Sequence, residues 1–183
     1  MTSRRTSPII AMTLVCLLCI LCLSCAGVGS FSFSEESEEI FVDASPLGST
    51  PLGNLFPNAR IPMEVNLEEE LAEQDASGAR AVYLRELYFE LSQESEKRTF
   101  DFLDDITISV ASRQEDSELA EATLAWRDPI PEGQERFYLD LDDELDLKTY
   151  AEEGIRLNTQ VTGSAPADDA RFQVYATFRV RVL

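Results

Sequence analysis

Four cysteines recur at intervals of three residues near the N-terminus of the chain. They are Cys16, Cys19, Cys22 and Cys25, a spacing also found among the ligands of zinc and iron–sulfur sites. The residues between them are Leu and Ile, apart from Ser24. In a helix this spacing aligns the thiols on an apolar stripe, where cysteine behaves as a small hydrophobic residue. We therefore interpret the four cysteines as part of an apolar segment, and we expect no metal bound to them.

Carboxylates are the most abundant side-chain groups that could take part in catalysis or ligand binding. The chain of 183 residues has 34 Asp and Glu against 15 Lys and Arg, a net charge of −19, and it has no histidine. The lack of histidine excludes a histidine triad, a histidine metal site and a histidine pH switch. The negative charge argues against a nucleic-acid partner, because phosphate binding requires clustered Lys and Arg.

The densest acidic run contains Asp140, Asp142 and Asp146, which we name as candidate Ca²⁺ ligands because alternating carboxylates can hold this ion. An EF-hand loop beginning at Asp140 would have Gly at position 145 and Glu at position 151, and the chain has Leu145 and Ala151. In the competing interpretation, Asp140 and Asp142 lie on the solvent side of a strand and Asp146 caps a helix.

Tyrosines supply the candidate ligand-binding residues. Tyr83, Tyr88 and Tyr138 fall out of phase with the apolar residues beside them, so we predict that they are exposed and could stack on a ligand such as a glycan. Trp126 is in phase with Leu124, and the same pattern predicts that it lies in the core.

Motifs for catalysis are missing from the sequence. The chain has no G-x-S-x-G, S-x-x-K, P-loop or G-x-G-x-x-G sequence. No cysteine follows Cys25, so the chain beyond it has neither a thiol nucleophile nor a disulfide. Two close carboxylates could act as a glycosidase pair, but among so many acids such pairs arise by chance. We expect a non-catalytic protein without a cofactor.

Residues 1–24 have the parts of a bacterial export signal. Arg4 and Arg5 are followed by an apolar run at 9–23, which is interrupted only by Thr13 and ends in small residues. The run is shorter than the roughly 20 residues of a membrane-spanning helix. The alternative is an uncleaved anchor over residues 8–28.

The sequence Leu21-Cys22-Leu23-Ser24-Cys25 resembles the lipobox of bacterial lipoproteins. The resemblance implies that residues 1–24 are removed and that Cys25 carries lipid. Two or three acyl chains would anchor the protein stably, since each buried CH₂ contributes about 0.8 kcal/mol. Ala26 follows the cysteine, and in this class that residue implies delivery to the outer membrane of the bacterial envelope.

Residues 25–59 have the composition of a tether, with many Ser, Glu and Pro residues. Such a segment buries too little apolar surface to offset chain entropy. One stretch, at 39–42, could pair as an edge strand.

Residues 60–183 show alternation of apolar and polar residues, which is typical of strands. We predict an all-β antiparallel sandwich, Ig-like or jelly-roll-like, of about seven strands. The phase slips at Arg85-Glu86, which predicts a β-bulge. A short helix is expected at 147–153, capped by Asp146 and ended by Gly154. The strand-like runs lie at 61–67, 82–91, 106–110, 120–126, 137–141, 155–161 and 172–182.

Together these observations predict a lipid-anchored envelope protein that binds or spaces an envelope protein or glycan. A Ca²⁺-binding or carbohydrate-binding sandwich is the alternative, and a carboxylate-based hydrolase is a second alternative. A membrane β-barrel fits less well, because it needs at least eight strands of about 9–11 residues.

Overall fold

The computed structural model describes residues 29–45 and 79–182. Within these residues the chain forms nine strands and one helix, α1 (Lys148–Glu153). The strands in chain order are β1 (Ser30–Glu36), β2 (Ile40–Val42), β3 (Ala81–Leu91), β4 (Leu103–Ser112), β5 (Ala122–Arg127), β6 (Arg136–Tyr138), β7 (Asp140–Leu141), β8 (Ile155–Gly163) and β9 (Ala170–Arg181).

The strands form two antiparallel sheets. The five-stranded sheet has the order β1-β9-β3-β6, and β2 also pairs with β9. The four-stranded sheet has the order β7-β5-β4-β8. Apolar side chains of both sheets form a single core cluster, so the predicted all-β antiparallel sandwich is confirmed.

The core shows why these sequences form strands. In β9 the residues from Ala170 to Val180 alternate between buried and more exposed positions, and the buried ones include Phe172 and Phe178. The ring centroid of Phe172 lies 5.8 Å from that of Phe89 and 5.6 Å from that of Phe100. Burying one such side chain stabilises the fold by about 1.5–3 kcal/mol.

The bulge predicted in β3 is confirmed. The pairing of β3 with β9 shifts register between Leu84 and Glu86, which leaves Arg85 as the extra residue. The bulge lets Leu84 and Leu87 both point into the core, although the three-residue interval between them violates strict alternation.

The prediction for Trp126 is wrong. The pairing of β4 with β5 shifts register between Ile108 and Ser109, so Leu124 and Ala125 are both buried and Trp126 turns outward with 39% of its surface exposed. A bulge of this kind reverses the side-chain phase of the strand beyond it. The sequence pattern around Trp126 continues unbroken through this point, so it does not reveal the reversal.

Part of the predicted tether belongs to the sandwich. Residues Ser30–Glu36 form β1 and pair with β9 along their whole length, because Phe31 and Phe33 alternate with serines and pack against the core. The edge strand expected at 39–42 is confirmed as β2. Between the two strands, the Ser37 hydroxyl accepts a hydrogen bond from the Val174 N–H at 2.9 Å, which continues the ladder through the break.

Helix α1 confirms the helix expected near residues 147–153. Leu147 and Tyr150 are both buried, as the pattern predicts. Asp146 accepts hydrogen bonds from the N–H of Lys148 at 3.0 Å and from the N–H of Val82 at 2.9 Å. The N-cap residue is Leu147 and not Asp146 as predicted, and Leu147 makes no side-chain cap hydrogen bond. From the preceding position, the Asp146 carboxylate satisfies a free N–H at the start of the helix and also ties the helix to β3.

Some predictions concern residues outside the described ranges. These are the export signal, the lipidation site Cys25 and the strand expected at 61–67. Within residues 29–45 and 79–182, no helix is both long enough and apolar enough to cross a membrane.

Candidate binding face

The three candidate Ca²⁺ ligands have structural partners instead of a common centre. Asp140 forms an ion pair with Arg127 at 3.3 Å, and Asp142 accepts a hydrogen bond from the N–H of Glu144 at 3.2 Å. Asp146 is the acceptor at the start of α1. Among the described residues, no three Asp, Glu or Cys side chains are grouped closely enough to hold a metal ion.

Two of the three predicted tyrosines come together on the outer face of the five-stranded sheet. Tyr88 of β3 lies opposite Tyr138 of β6 in the strand register, and it lies opposite Tyr175 of β9 on its other side. The register of three neighbouring strands therefore sets the three rings side by side across the sheet. We call Tyr88, Tyr138 and Tyr175 the tyrosine row.

The rings of the tyrosine row contact one another. Tyr88 and Tyr175 are stacked, with centroids 4.8 Å apart and planes inclined by 12°. Tyr88 and Tyr138 lie 5.1 Å apart with an angle of 43° between their planes. Aromatic pairs at such distances contribute about 0.5–1.5 kcal/mol beyond their buried area. Tyr138, at the end of the row on the edge strand β6, is 48% exposed.

An ion pair lies beside the row. Arg136 of β6 is hydrogen-bonded to Glu90 of β3, directly opposite it in the register. The Arg136 guanidinium also lies 5.1 Å from the centroid of the Tyr88 ring, within the range of a cation–π contact. The hydrogen bond with Glu90, and then one with Tyr138, raise the pKa of Arg136. Its position on the tyrosine row is thus fixed from two sides.

Glu36 of β1 marks the other end of the row. The Tyr175 hydroxyl lies 3.3 Å from both Glu36 Oε1 and Gln173 Oε1, and the Gln173 amide donates to Glu36 Oε1 at 2.5 Å. Burial is the main cause that raises the pKa of Tyr175, and the charge of Glu36 adds to it. Burial also raises the pKa of Tyr88, and the positive charge of Arg136 lowers it by a smaller amount. Both phenols therefore hold their protons more tightly than an ordinary tyrosine does.

Tyr83, the third predicted tyrosine, lies apart from the row. It is opposite Arg179 in the register, four residue pairs along β3 and β9 from the pair of Tyr88 with Tyr175. The Arg85 guanidinium lies 6.0 Å from its ring. The sequence analysis missed Tyr175, although it falls out of phase with its buried neighbours Val174 and Ala176 just as the other tyrosines do. The criterion applied to Tyr88 would have found it.

The outer face of the four-stranded sheet is different in kind. It carries hydroxyl and amide side chains together with charged residues such as Asp105 and Arg156, and Trp126 lies among them, between Thr107 and Asp140 in the register. Carboxyls here accept hydrogen bonds from short polar side chains. Asn158 donates to Glu121 at 3.0 Å, and this bond, followed by one from Ser109, lowers the pKa of Glu121.

Carboxyls with a lowered pKa are also found at the turns. The Gly133 N–H and the Thr99 hydroxyl lower the pKa of Asp101, and the hydroxyls of Ser117 and Ser112 lower the pKa of Glu153. A glycosidase acid needs a shift in the opposite direction, so that it keeps its proton at neutral pH. These three carboxyls therefore act as ionised hydrogen-bond acceptors.

Two comparisons with known proteins found no match for the chain. No protein-family model matches the chain, and no curated protein matches it.

Proposed function

We propose that the protein is a non-catalytic, lipid-anchored protein of the bacterial envelope, and that its tyrosine row binds a partner protein. The lipid anchor is Cys25, on the basis of the lipobox-like sequence. The removal of residues 1–24 and delivery to the outer membrane belong to the same proposal. The observation that carries the binding function is the row itself, in which three tyrosines from three strands are aligned on an outer face.

Tyrosine and arginine are the residues that dominate the energetics of protein interfaces. Tyr, Trp and Arg are enriched at the centres of interfaces, where a few side chains supply most of the binding energy. Here Arg136 lies against the tyrosine row and is held by Glu90. These side chains are already ordered by one another, so binding a partner costs less side-chain entropy than ordering isolated residues would.

The orientation of the rings favours a protein over a sugar as the partner. A sugar stacks on an open aromatic ring face. The ring of Tyr88 lies between those of Tyr175 and Tyr138 and below Arg136, so its faces are already in contact. The row thus offers ring edges, phenol hydroxyls and a guanidinium, which suit the mixed polar and apolar surface of a protein.

A photo-crosslinking amino acid at position 138 tests this proposal in intact cells. We expect a crosslinked product of defined mass, formed less when Tyr88→Ser and Tyr175→Ser are introduced together. The matched control has the photo-crosslinker at position 126, on the opposite sheet. Equal crosslinking yields from positions 138 and 126 would contradict the proposal. So would a yield at position 138 that does not change when the two substitutions are introduced.

The anchor is tested separately by the intact mass of protein extracted from membranes. We expect a chain that begins at Cys25 and carries acyl groups, and we expect radiolabelled palmitate to enter the wild-type protein and not Cys25→Ser. A chain that retains Met1 without lipid would exclude the lipoprotein mechanism.

Glycan binding is the second candidate, and exposure of Trp126 favours it. The indole lies on a face of Thr, Asn and Gln side chains, and such a combination of ring and polar groups suits a sugar. Trp126 is the sole tryptophan of the chain, so its fluorescence reports directly on binding. Titration with soluble peptidoglycan fragments should shift the emission if this face binds glycan. An unchanged spectrum would remove this candidate.

A further inference from the structure

The sandwich begins very close to the proposed lipid anchor. Only residues 26–29 separate Cys25 from Ser30, the first residue of β1. Five extended residues span at most about 18 Å. The end of the sandwich where β1 begins, which we call the anchor end, must therefore stay next to the membrane surface.

The register identifies the residues at the anchor end. Ser30 lies opposite Arg181 of β9, and Arg181 lies opposite Ala81 of β3. One step further along the same face, Ser32 lies opposite Arg179. Arg80 precedes β3 and its N–H donates a hydrogen bond to the Arg181 carbonyl at 2.7 Å. Arg80, Arg179 and Arg181 are all exposed.

These three arginines differ from Arg136 and Arg171 of the same sheet. On the outer face of the same sheet, Arg136 pairs with Glu90 and Arg171 pairs with Glu39 at 3.2 Å. Among the described residues, no carboxylate lies within 4.0 Å of Arg80, Arg179 or Arg181. The guanidinium of Arg179 instead donates to the Ser30 hydroxyl at 3.3 Å, which directs it toward the start of β1.

The far side of the anchor end is acidic. Helix α1 connects the two sheets there, because the Leu147 N–H donates to the Val82 carbonyl and the Tyr150 hydroxyl donates to the Ala120 carbonyl. The loop at 113–121 on this side contains four carboxylates, and α1 adds two more. The positive charge at the anchor end is thus concentrated on the side of the five-stranded sheet.

We propose that Arg80, Arg179 and Arg181 bind the anionic headgroups of a phospholipid bilayer and set the orientation of the anchored sandwich. The inference rests on the proposed anchor, which keeps these residues within reach of the bilayer. The charges are complementary, in a chain whose net charge of −19 would otherwise repel such a surface. Each arginine near an anionic membrane contributes to binding through the surface potential, which acts over about one Debye length.

This orientation also places the tyrosine row. Tyr175 is six residues before Arg181 on β9, which corresponds to about 20 Å along the strand. The four-stranded sheet, with the acidic loop at its end, turns away from the headgroups. The tyrosine row then stands clear of the lipid and remains accessible to a partner protein in the envelope.

The test measures the distance of the anchor end from the lipid. A coumarin amino acid replaces Ser32 in the full-length protein, which is reconstituted into phosphatidylcholine vesicles with or without phosphatidylglycerol. Phosphatidylcholine carrying a nitroxide on its headgroup quenches nearby coumarin. We expect strong quenching with phosphatidylglycerol, and weaker quenching when Arg179→Gln and Arg181→Gln are combined, because only the short tether then holds Ser32 near the lipid. Removing the two charges should lower the ratio of molecules whose anchor end faces the lipid to molecules in other orientations by about 30-fold.

Three controls isolate the effect of charge at this end. Lys97→Gln with Arg98→Gln removes the same charge at the opposite end of the five-stranded sheet, where the Lys97 N–H donates to the Asp169 carbonyl, and should leave the quenching unchanged. Arg179→Lys with Arg181→Lys retains the charge and should quench like the wild type, which separates electrostatics from misfolding. Coumarin at position 93, at the opposite end of β3, should stay unquenched. Equal quenching with and without phosphatidylglycerol, or wild-type quenching in the Gln pair, would overturn the proposal.

The mass of the reconstituted protein separates this inference from the anchor proposal. A chain that lacks acyl groups contradicts lipidation at Cys25, while its apolar run at 9–23 still inserts into the vesicles and the quenching comparison proceeds unchanged. A protein that does not associate with the vesicles at all contradicts both proposals.

Discussion

The outer faces of the two sheets are built from different side chains, although both sheets share one core. On the five-stranded sheet, tyrosines, arginines and glutamates contact one another across strands. On the four-stranded sheet, hydroxyl and amide side chains and Asp140 surround Trp126, and among the described residues no other aromatic ring is paired with it. Folding requires only that the inner faces be apolar, so the fold does not explain the difference. In the proposed function, the tyrosine row is the surface that binds a partner.

The largest effect should come from the core that the two faces share. Phe172 is 1% exposed and contacts Phe89 and Phe100, so Phe172→Ala should lower the free energy of unfolding by about 3–5 kcal/mol. Urea unfolding followed by circular dichroism and by Trp126 fluorescence should show one coincident transition. Two separate transitions would mean that the sheets do not depend on a common core.

A smaller effect should distinguish the two outer faces. Tyr88→Ala removes two ring contacts and should lower the free energy of unfolding by about 1–3 kcal/mol. Thr107→Ala, at a comparable position on the four-stranded sheet, should change it by less than about 0.5 kcal/mol. Equal losses in urea unfolding would show that the contacts of the tyrosine row contribute nothing particular to stability.

The tyrosine row should also make stability sensitive to alkaline pH. Burial raises the pKa of Tyr88 and Tyr175 above the ordinary value of 10.0. Each phenol therefore holds its proton more tightly in the folded chain. It stabilises the fold below pH 10, and this stabilisation is lost as the pH rises through the folded pKa.

We expect the free energy of unfolding above pH 10 to fall more steeply in the wild type than in the variant with Tyr88→Phe and Tyr175→Phe. Urea unfolding at several alkaline pH values measures both slopes. Parallel slopes would mean that neither phenol titrates differently in the folded and unfolded chains.

The smallest effect is expected at Trp126. Because the side chain is 39% exposed, Trp126→Thr should change the free energy of unfolding by about 0.5 kcal/mol or less. A core tryptophan would cost about 3–5 kcal/mol when truncated. Thermal unfolding therefore distinguishes the outward position of Trp126 from the core position that the sequence pattern predicts.

The positions of Trp126 and Tyr175 show how far the sequence predicts this molecule. Alternation predicts most strands, and the phase slip at Arg85-Glu86 predicts the bulge in β3, because both are local patterns. The bulge at Leu124 arises in pairing with β4, so β5 alone does not reveal it. The tyrosine row depends on the register of β3, β6 and β9, which are distant in sequence.

Amino-acid composition does not predict where the sandwich begins at its N-terminal end. The Ser-rich and Glu-rich sequence of β1 resembles a tether, yet Phe31 and Phe33 supply enough apolar contact to complete the edge of the sheet. Two aromatic residues in alternate positions outweighed the polar composition, because β9 offers a complete set of backbone partners at that edge.

Hydroxyl-radical footprinting of the protein in intact envelopes, compared with the purified protein, tests the central claim most directly. Tyr88, Tyr138 and Tyr175 should be oxidised more slowly in the envelope, because a partner covers the tyrosine row. Trp126, on the opposite face, should be oxidised at the same rate in both samples. Unchanged oxidation of all three tyrosines, or protection of Trp126 alone, would contradict the assignment of the tyrosine row as the binding face.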